Sequence, residues 1–191
     1  AKRGHGQPAS AYTQPADVFS PCAGAALYRR AFLEALGGFD ERFFAYLEDV
    51  DLGLRGRLRG YHSLFVPQAE VLHQGHGSGL PAARYVRLMT RNRLLLLFKN
   101  LPARLLLRHA ASLLYGQVYY AVVYRRPLAS LAGYAGVLPL LPHLVRERRR
   151  IRRQTVLNLE QIDRLLAPDM PEPPLRDGLR AAWRQARFPR N

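Results

Sequence analysis

The stretch FFAYLEDVDLGLR, residues 43–55, places three carboxylates in four positions directly behind an aromatic run: Glu48, Asp49 and Asp51. Apolar residues then recur at four-residue spacing, at Val50, Leu54 and Leu58. This pattern predicts a helix that begins near Glu48, presents one apolar face and ends at Gly60. Free backbone N–H groups stabilise acidic residues in a first helical turn, so the cluster needs no other role. Alternatively, one carboxylate points into a cleft, where it can act as a general base.

The sequence on either side of this helix predicts further short elements. A helix is expected around residues 29–36, and Gly37 and Gly38 end it because glycine adopts the left-handed conformation at low cost. Two short strands are predicted from SLFVP (63–67) and AEVLH (69–73). Pro81 is suited to the first turn of a long helix that runs through about Lys99.

The charge of the 191-residue chain is unevenly distributed. Residues 1–75 hold eight basic and eight acidic residues, so the whole net charge of +15 falls in residues 76–191. An anionic partner is therefore expected only for the second region. The single cysteine, Cys22, rules out a disulfide within the chain and fits a reducing compartment. The chain starts at Ala1 without an apolar leader, and we expect it to be a piece of a longer protein.

Two uncharged runs follow the long helix, residues 109–124 and 127–145, separated by two arginines. The first is short for a spanning helix, the second contains three prolines, and the sequence RERRRIRR (146–153) follows directly. We expect these helices to lie in a bilayer interface, with the arginines on anionic lipid. A buried helical hairpin is the open alternative.

Two further groups of residues have two interpretations each. Arg84, Arg87 and Arg91 share one side of the long helix, where they face lipid or acceptor phosphates or form a solvated basic surface. His73, at the end of the second predicted strand, is either an ordinary histidine or a metal ligand through its neutral ring, with His76 as a competitor.

An ordered set of motifs links these residues: CAGAA, GGFDE, FFAYLEDVDL, the strand containing VP, and VLH. Residues 16–100, which carry them, closely resemble the C-terminal half of family-2 glycosyltransferases, most of all the rhamnosyltransferase-like branch. The resemblance implies an α/β fold, namely the C-terminal half of an A-type (Rossmann-like) glycosyltransferase domain followed by a mostly helical, membrane-associated tail. The implied divisions are 1–100 for the acceptor and catalytic-base part, 101–153 for the apolar membrane-interface region, and 154–191 for a polar helical tail.

The same resemblance implies roles for particular residues. Asp49 corresponds to the catalytic base, and Glu48 supports it. His73 corresponds to the histidine that helps to hold a divalent metal, Mg or Mn, on the nucleotide diphosphate. Gly24 and Ala25, in CAGAA, correspond to the lining of the sugar and acceptor cleft.

Two other expectations concern the long helix and the helix that begins near Glu48. Arg91 is a candidate for binding the acceptor diphosphate, and Asp51 is expected on the helix surface, paired with Arg55 four positions on. The family's Asp-x-Asp motif does not occur upstream of Phe43, so the donor-binding half is expected to be missing from this chain.

The expected function is inverting transfer of a sugar, rhamnose being the candidate, from a nucleotide-sugar to a saccharide or lipid-linked acceptor. The expected location is the cytoplasmic face of the membrane, on an anionic surface. Two rival classes remain: a non-catalytic, truncated membrane-associated fragment, and a basic nucleic-acid-binding protein. The second is disfavoured because the sequence has no recognised nucleic-acid motif and its arginines adjoin apolar runs, so nucleic acid is not an expected partner.

Overall fold

The computed structural model describes residues 8–72 and 79–166. It is mostly helical. The helices are α1 (Arg30–Leu36), α2 (Glu48–Leu58), α3 (Ala82–Asn100), α4 (Ala103–Arg108), α5 (Ala110–Val123), α6 (Pro127–Ala135), α7 (Leu141–Gln154) and α8 (Leu159–Leu165). Short 3-10 helices cover Ala9–Ala11, Ala23–Ala25, Glu41–Phe43 and Leu138–Leu140. Strands β1 (Ala16–Val18) and β2 (Ser63–Phe65) form an antiparallel pair in which Asp17 faces Leu64.

Three of the predicted helices are confirmed. α1 ends at Gly37, which adopts the left-handed conformation (φ 75°) and donates its N–H to the last turn. α2 begins at Glu48, as the acidic cluster predicts. α3 begins directly after Pro81 and ends one residue beyond Lys99.

The strand predictions are only partly correct. SLF forms β2, but its partner β1 lies in a segment that its Gly, Pro and Ala content marks as a loop. The described part of AEVLH, residues 69–72, is not a strand, and Val71 and Leu72 are exposed. A short strand is stable only beside a partner, and among the described residues this segment pairs with none. The described residues therefore contain strands and helices but form no parallel, Rossmann-like sheet.

α2 differs from the prediction of one apolar face, because it is buried on all sides. Every residue from Asp51 to Leu58 is buried, including Arg55 and Arg57. α1, α3 and α7 pack against it. The spacing of apolar residues does not predict this burial, because Arg55 and Arg57 are satisfied by carboxylates and backbone carbonyl oxygens rather than by water.

Among the described residues, the apolar core consists of two clusters, and Leu96 of α3 packs against both. The first joins α2, α4, α7 and α8 through Leu54, Leu58, Leu101, Leu105, Ile151 and Ile162. The second consists of Phe43, Leu95, Val137 and Leu144. Helices from the 101–153 region thus pack directly on α2 and α3, while the predicted division of the chain at residues 100 and 153 stays a prediction.

Among the described residues, one helical segment, Pro127–Gln154, is long and apolar enough by composition to cross a membrane, and Ala110–Val123 is a shorter apolar helix. Length and composition alone are weak support for a span. The structure therefore leaves the interfacial location of these helices as a prediction.

Candidate active site

The loop before α2 leads into the acidic pair, Glu48 and Asp49, and its backbone conformation is unusual. Phe44, Tyr46 and Leu47 have φ values of 63°, 71° and 67°. A left-handed conformation costs a residue with a side chain about 1–2 kcal/mol. Such strain persists only where the surroundings hold it, and it is concentrated at functional sites. The loop is therefore a conformation that the rest of the fold must maintain.

α3 supplies the groups that hold this loop. The amide of Asn92, which is fully buried, donates to the carbonyl oxygens of Phe43, Ala45 and Tyr46 at 3.0, 2.8 and 2.8 Å. The guanidinium of Arg91 donates to the carbonyl of Phe43 at 3.0 Å and to that of Arg42 at 2.7 Å. Asn92 and Lys99 are seven residues apart, about two helical turns, so both lie on the buried side of α3. Sequence reasoning missed Asn92.

The three arginines predicted to share one side of α3 have different surroundings. Arg91 supports the loop, and the guanidinium of Arg84 lies over the ring of Phe44, 4.9 Å from its centroid. Arg87 is exposed. The structure places Arg91 beside the loop that precedes the acidic pair, and phosphate binding by Arg91 stays a prediction.

Asp49 is fixed against the segment that contains Gly24 and Ala25. Its Oδ2 accepts the backbone N–H of Ala23 at 3.1 Å, and its Oδ1 accepts that of Val50 at 2.8 Å. The hydroxyl of Ser20 donates to the backbone carbonyl of Asp49 at 2.8 Å. The two predicted parts of the site, CAGAA and the acidic pair, are therefore adjacent in space.

Glu48 and Tyr28 contribute buried polar atoms to the same place. Among the described residues, neither Glu48 Oε2 nor the Tyr28 hydroxyl has a hydrogen-bond partner. Burial, together with the charge of Asp49, raises the pKa of Glu48. Burial raises the pKa of Tyr28 to about 12, with further contributions from Asp49, Cys22 and Glu48. Sequence reasoning missed Tyr28, which is separated from the acidic pair by some 20 residues and belongs to no acidic or metal-binding pattern.

Buried polar atoms without partners require an explanation, because such atoms are normally hydrogen-bonded. Here two of them lie around an oriented carboxylate that is half-buried. Both atoms face inward in this structure, so a ligand hydroxyl, which both donates and accepts, would pair with them only after the residues that cover them move. The site thus combines a potential proton acceptor with free hydrogen-bonding capacity.

The surface position expected for Asp51 is wrong, although its pairing with Arg55 is confirmed. Asp51 is completely buried and accepts from Arg55, Lys99 and Asn100, each at 2.8 Å. It lies inside because α3 covers this face of α2 and supplies two donors from its last turn. Asp51 therefore joins α2 to α3 and does not belong to the candidate active site.

A second buried carboxylate extends this ionic network. Asp40, the acid of GGFDE, accepts from the ammonium of Lys99 at 2.7 Å and contacts the ring of His143 in α7 at 3.1 Å. Burial alone would raise the pKa of Asp40, but Lys99, His143 and the N–H of Arg42 hold the pKa well below its ordinary value. The only signal in the sequence is that Lys99 is one of just two lysines in an arginine-rich chain.

The predicted metal ligand His73, and its competitor His76, lie outside the described residues. Within 8–72 and 79–166, no group of three His, Cys, Asp or Glu residues is arranged to hold a metal ion. The described residues alone do not complete the ligand set expected for Mg or Mn, so metal binding stays a prediction.

Part of the chain is similar to a rhamnosyltransferase and to an O-antigen biosynthesis protein. A segment of 61 residues, 31% of this chain, is 49% identical to N-acetylglucosaminyl-diphospho-decaprenol L-rhamnosyltransferase of Mycobacterium tuberculosis, in strains CDC 1551 and H37Rv. A segment of 72 residues, 36% of this chain, is 38% identical to the O-antigen biosynthesis protein RfbC of Myxococcus xanthus. The matches cover 20% and 5% of those proteins, respectively.

No family model matches the chain, and no solved structure matches it. The partial similarities nonetheless indicate a glycosyltransferase-related protein. They agree with the predicted enzyme class, over part of the chain.

Proposed function

We propose that this protein carries the acceptor side of an inverting glycosyltransferase of family-2 type. In the proposal, a sugar, with rhamnose as the candidate, moves from a nucleotide-sugar to a hydroxyl of a saccharide or lipid-linked acceptor in cell-wall or surface polysaccharide synthesis. The observation that supports this most is the oriented Asp49 carboxylate beside the unpartnered atoms of Glu48 and Tyr28.

In the proposed reaction, Asp49 removes the proton from the acceptor hydroxyl as that oxygen attacks the anomeric carbon. The new bond joins the acceptor oxygen to that carbon, and the bond from the carbon to the nucleotide diphosphate breaks on the opposite face. The leaving group departs as the nucleotide diphosphate. Each oxygen of Asp49 already accepts one N–H but retains a second acceptor position for the proton.

The other residues of the site hold the acceptor in this proposal. Glu48 Oε2 and the Tyr28 hydroxyl are buried in this structure and would bind further sugar hydroxyls once the entering acceptor uncovers them. The glycine at position 24 would let the sugar approach the backbone. The divalent cation on the diphosphate, Mg or Mn, would involve His73 together with a donor-binding part. It would neutralise charge on the leaving group.

The proposed place of action is the cytoplasmic face of the membrane, where an anionic surface would bind the arginine-rich helices and nucleic acid would not be a partner. A lipid-linked saccharide is amphipathic, so its sugar is available at the interface. The M. tuberculosis relative is named for a diphospho-decaprenol substrate, which supports this choice of acceptor class.

Asp49→Asn in the full-length native protein tests whether Asp49 is the catalytic base. We expect turnover of the nucleotide-sugar to fall by about 100-fold or more, because general-base catalysis contributes about 10²–10⁴-fold. Binding of the nucleotide-sugar, measured by calorimetry, should be nearly unchanged. Glu34→Gln, which alters an exposed carboxylate in a surface ion pair of α1, is the matched control and should keep normal turnover. Substantial turnover in Asp49→Asn would refute the base assignment.

A non-catalytic, membrane-associated role is the second candidate. It is favoured by the exposed apolar and basic surface of α6 and α7, which needs no catalysis. Native protein that binds anionic vesicles but turns over no sugar from a panel of nucleotide-sugars would establish this role instead.

A further inference from the structure

The outer face of α6 and α7 changes from apolar to basic along one helical path. The segment from Pro127 to Gln154 is nearly continuous, since residues 136, 137, 140 and 141 between the two helices keep helical backbone angles. Leu131, Leu138 and Val145 recur every seven residues and are exposed to 60%, 65% and 47%. Seven residues are close to two helical turns, so these side chains lie on one face.

The same face becomes basic in the last turns of α7. Continuing the seven-residue spacing from Val145 leads to Arg152, and Arg146, Arg149 and Arg153 flank it as exposed residues. Among the described residues, none of those three flanking arginines has a hydrogen-bond or ion-pair partner, whereas Arg150 is paired with Glu147 at 2.7 Å. An open groove of about 670 Å³ lies along these arginines. The surface therefore offers uncompensated positive charge directly beside exposed aliphatic side chains.

The opposite face of the segment is committed to the protein. A Cβ on Gly133 would lie 2.7 Å from the carbonyl oxygen of Arg87, so α6 packs closely on α3. His143 contacts Asp40, and Leu144 and Ile151 are buried in the core. The segment cannot leave this core to cross a bilayer without exposing these groups. It can meet a lipid surface with its outer face alone.

We propose that this outer face inserts obliquely into an anionic lipid bilayer. The face is defined by Leu131, Leu138, Val145, Arg146, Arg149 and Arg153. The leucines and Val145 enter the acyl region, and the arginines bind lipid phosphates. From Val145 to Arg153 the helix rises by about 12 Å, which is comparable to the depth that interfacial helices occupy. This deepens the proposed membrane location but does not depend on sugar transfer.

Vesicle binding by two matched triple variants of the native protein tests the arginine part of the surface. We expect salt-sensitive sedimentation with phosphatidylglycerol-containing vesicles and little with phosphatidylcholine alone. Replacing Arg146, Arg149 and Arg153 with Gln should weaken binding about 100-fold. Replacing the exposed Arg29, Arg30 and Arg104 removes the same charge from elsewhere and should change binding by less than about threefold. Equal effects of the two triples, or no binding to anionic vesicles, would overturn the proposal.

The depth of insertion is measured separately with spin labels in a Cys22→Ser background. Labels at Leu131→Cys and Val145→Cys should lie in the acyl region, and a label at Arg153→Cys should lie at the phosphates. A label at Arg104→Cys should stay in water. All labels remaining in water while the protein is bound would refute insertion, and labels in opposite leaflets would show a spanning helix instead.

Two other occupants of the face would also overturn the proposal. One is a second copy of the chain, seen as a dimer that forms without vesicles and is lost in Val145→Asp. The other is nucleic acid, seen as polynucleotide binding that competes fully with vesicles. Since neither the sedimentation nor the depth measurement requires a nucleotide-sugar, a failure here is distinct from a failure of the Asp49→Asn test.

Discussion

Replacing Lys99 with methionine tests how α2, which carries the candidate base, is held in place. The Lys99 ammonium is 1% exposed and lies 2.7 Å from Asp40 and 2.8 Å from Asp51. Methionine preserves most of the volume but leaves two buried carboxylates without their shared cation. Removing one partner of a buried ion pair costs about 3–5 kcal/mol where the remaining charge is left uncompensated. Asp51 keeps Arg55 and Asn100, and Asp40 keeps its contact with His143, so we expect a loss at the lower end, about 3 kcal/mol. A loss of this size is a large part of the about 5–15 kcal/mol by which native domains are stable.

The assay is urea-induced unfolding followed by circular dichroism, over a range of pH. Arg104→Met, at an exposed position, is the matched control and should change the free energy of unfolding by no more than about 0.5 kcal/mol. Both variants remove one positive charge from the chain. The difference between them therefore reports burial and pairing, not net charge.

The loss of unfolding free energy in Lys99→Met should also depend on pH, which a simple loss of packing would not explain. The pKa of Asp40 is lower in the folded protein than its ordinary value, so its contribution to stability is present above about pH 4 and is lost as the pH falls. Without Lys99, that contribution is diminished already at neutral pH. The difference in unfolding free energy between the native protein and Lys99→Met should therefore be largest near neutral pH and should narrow in acid.

Two results would refute this reasoning. One is a loss of less than about 1 kcal/mol at neutral pH, which would show that the carboxylates do not need the ammonium. The other is a loss of the same size at about pH 3 and about pH 7, which would assign the effect to packing alone.

Two further predictions concern the surroundings of Asp49. Asn92→Ala should lower the free energy of unfolding by about 2 kcal/mol, since its two N–H groups, shared among three loop carbonyls, each give a hydrogen bond worth about 1 kcal/mol. A loss below that of one such bond would contradict the loop-support role. Gly53→Ala should destabilise by about 1–3 kcal/mol despite the higher helix propensity of alanine, because its Cβ would lie 2.3 Å from the Oγ of Ser20. Adding Ser20→Gly should recover part of that loss, and both effects are measured by thermal unfolding; a stabilised Gly53→Ala protein would show that the contact is not limiting.

Short-range rules predicted much of the fold around the site. Gly37 ends α1, the acidic cluster begins α2, and Pro81 precedes α3, because caps and first turns depend on residues within about four positions of each other. The same rules failed for AEVL. A strand depends on a partner elsewhere in the chain, and the described residues provide none there.

The site shows the same division between local and distant causes. Asp49 and the segment of Gly24 and Ala25 emerged from motif resemblance, and the structure brings them together. Tyr28 and Asn92 did not emerge, because their importance comes from what they face: one places a buried hydroxyl near the acidic pair, and the other holds three carbonyls. Neither property is encoded in the spacing of nearby residues.

The sequence by itself determined where α1, α2 and α3 lie, where the positive charge is concentrated, and that Asp49 stands at a helix start. Only the tertiary structure decided that Asp51 is internal, that Lys99 joins two buried carboxylates, and that one face of α6 and α7 remains open. The physical reason is that helix formation and capping are governed by neighbours a turn apart. Whether a charge is buried and paired is governed by side chains such as Lys99, which lies 48 positions from Asp51 and meets it only when α3 packs on α2.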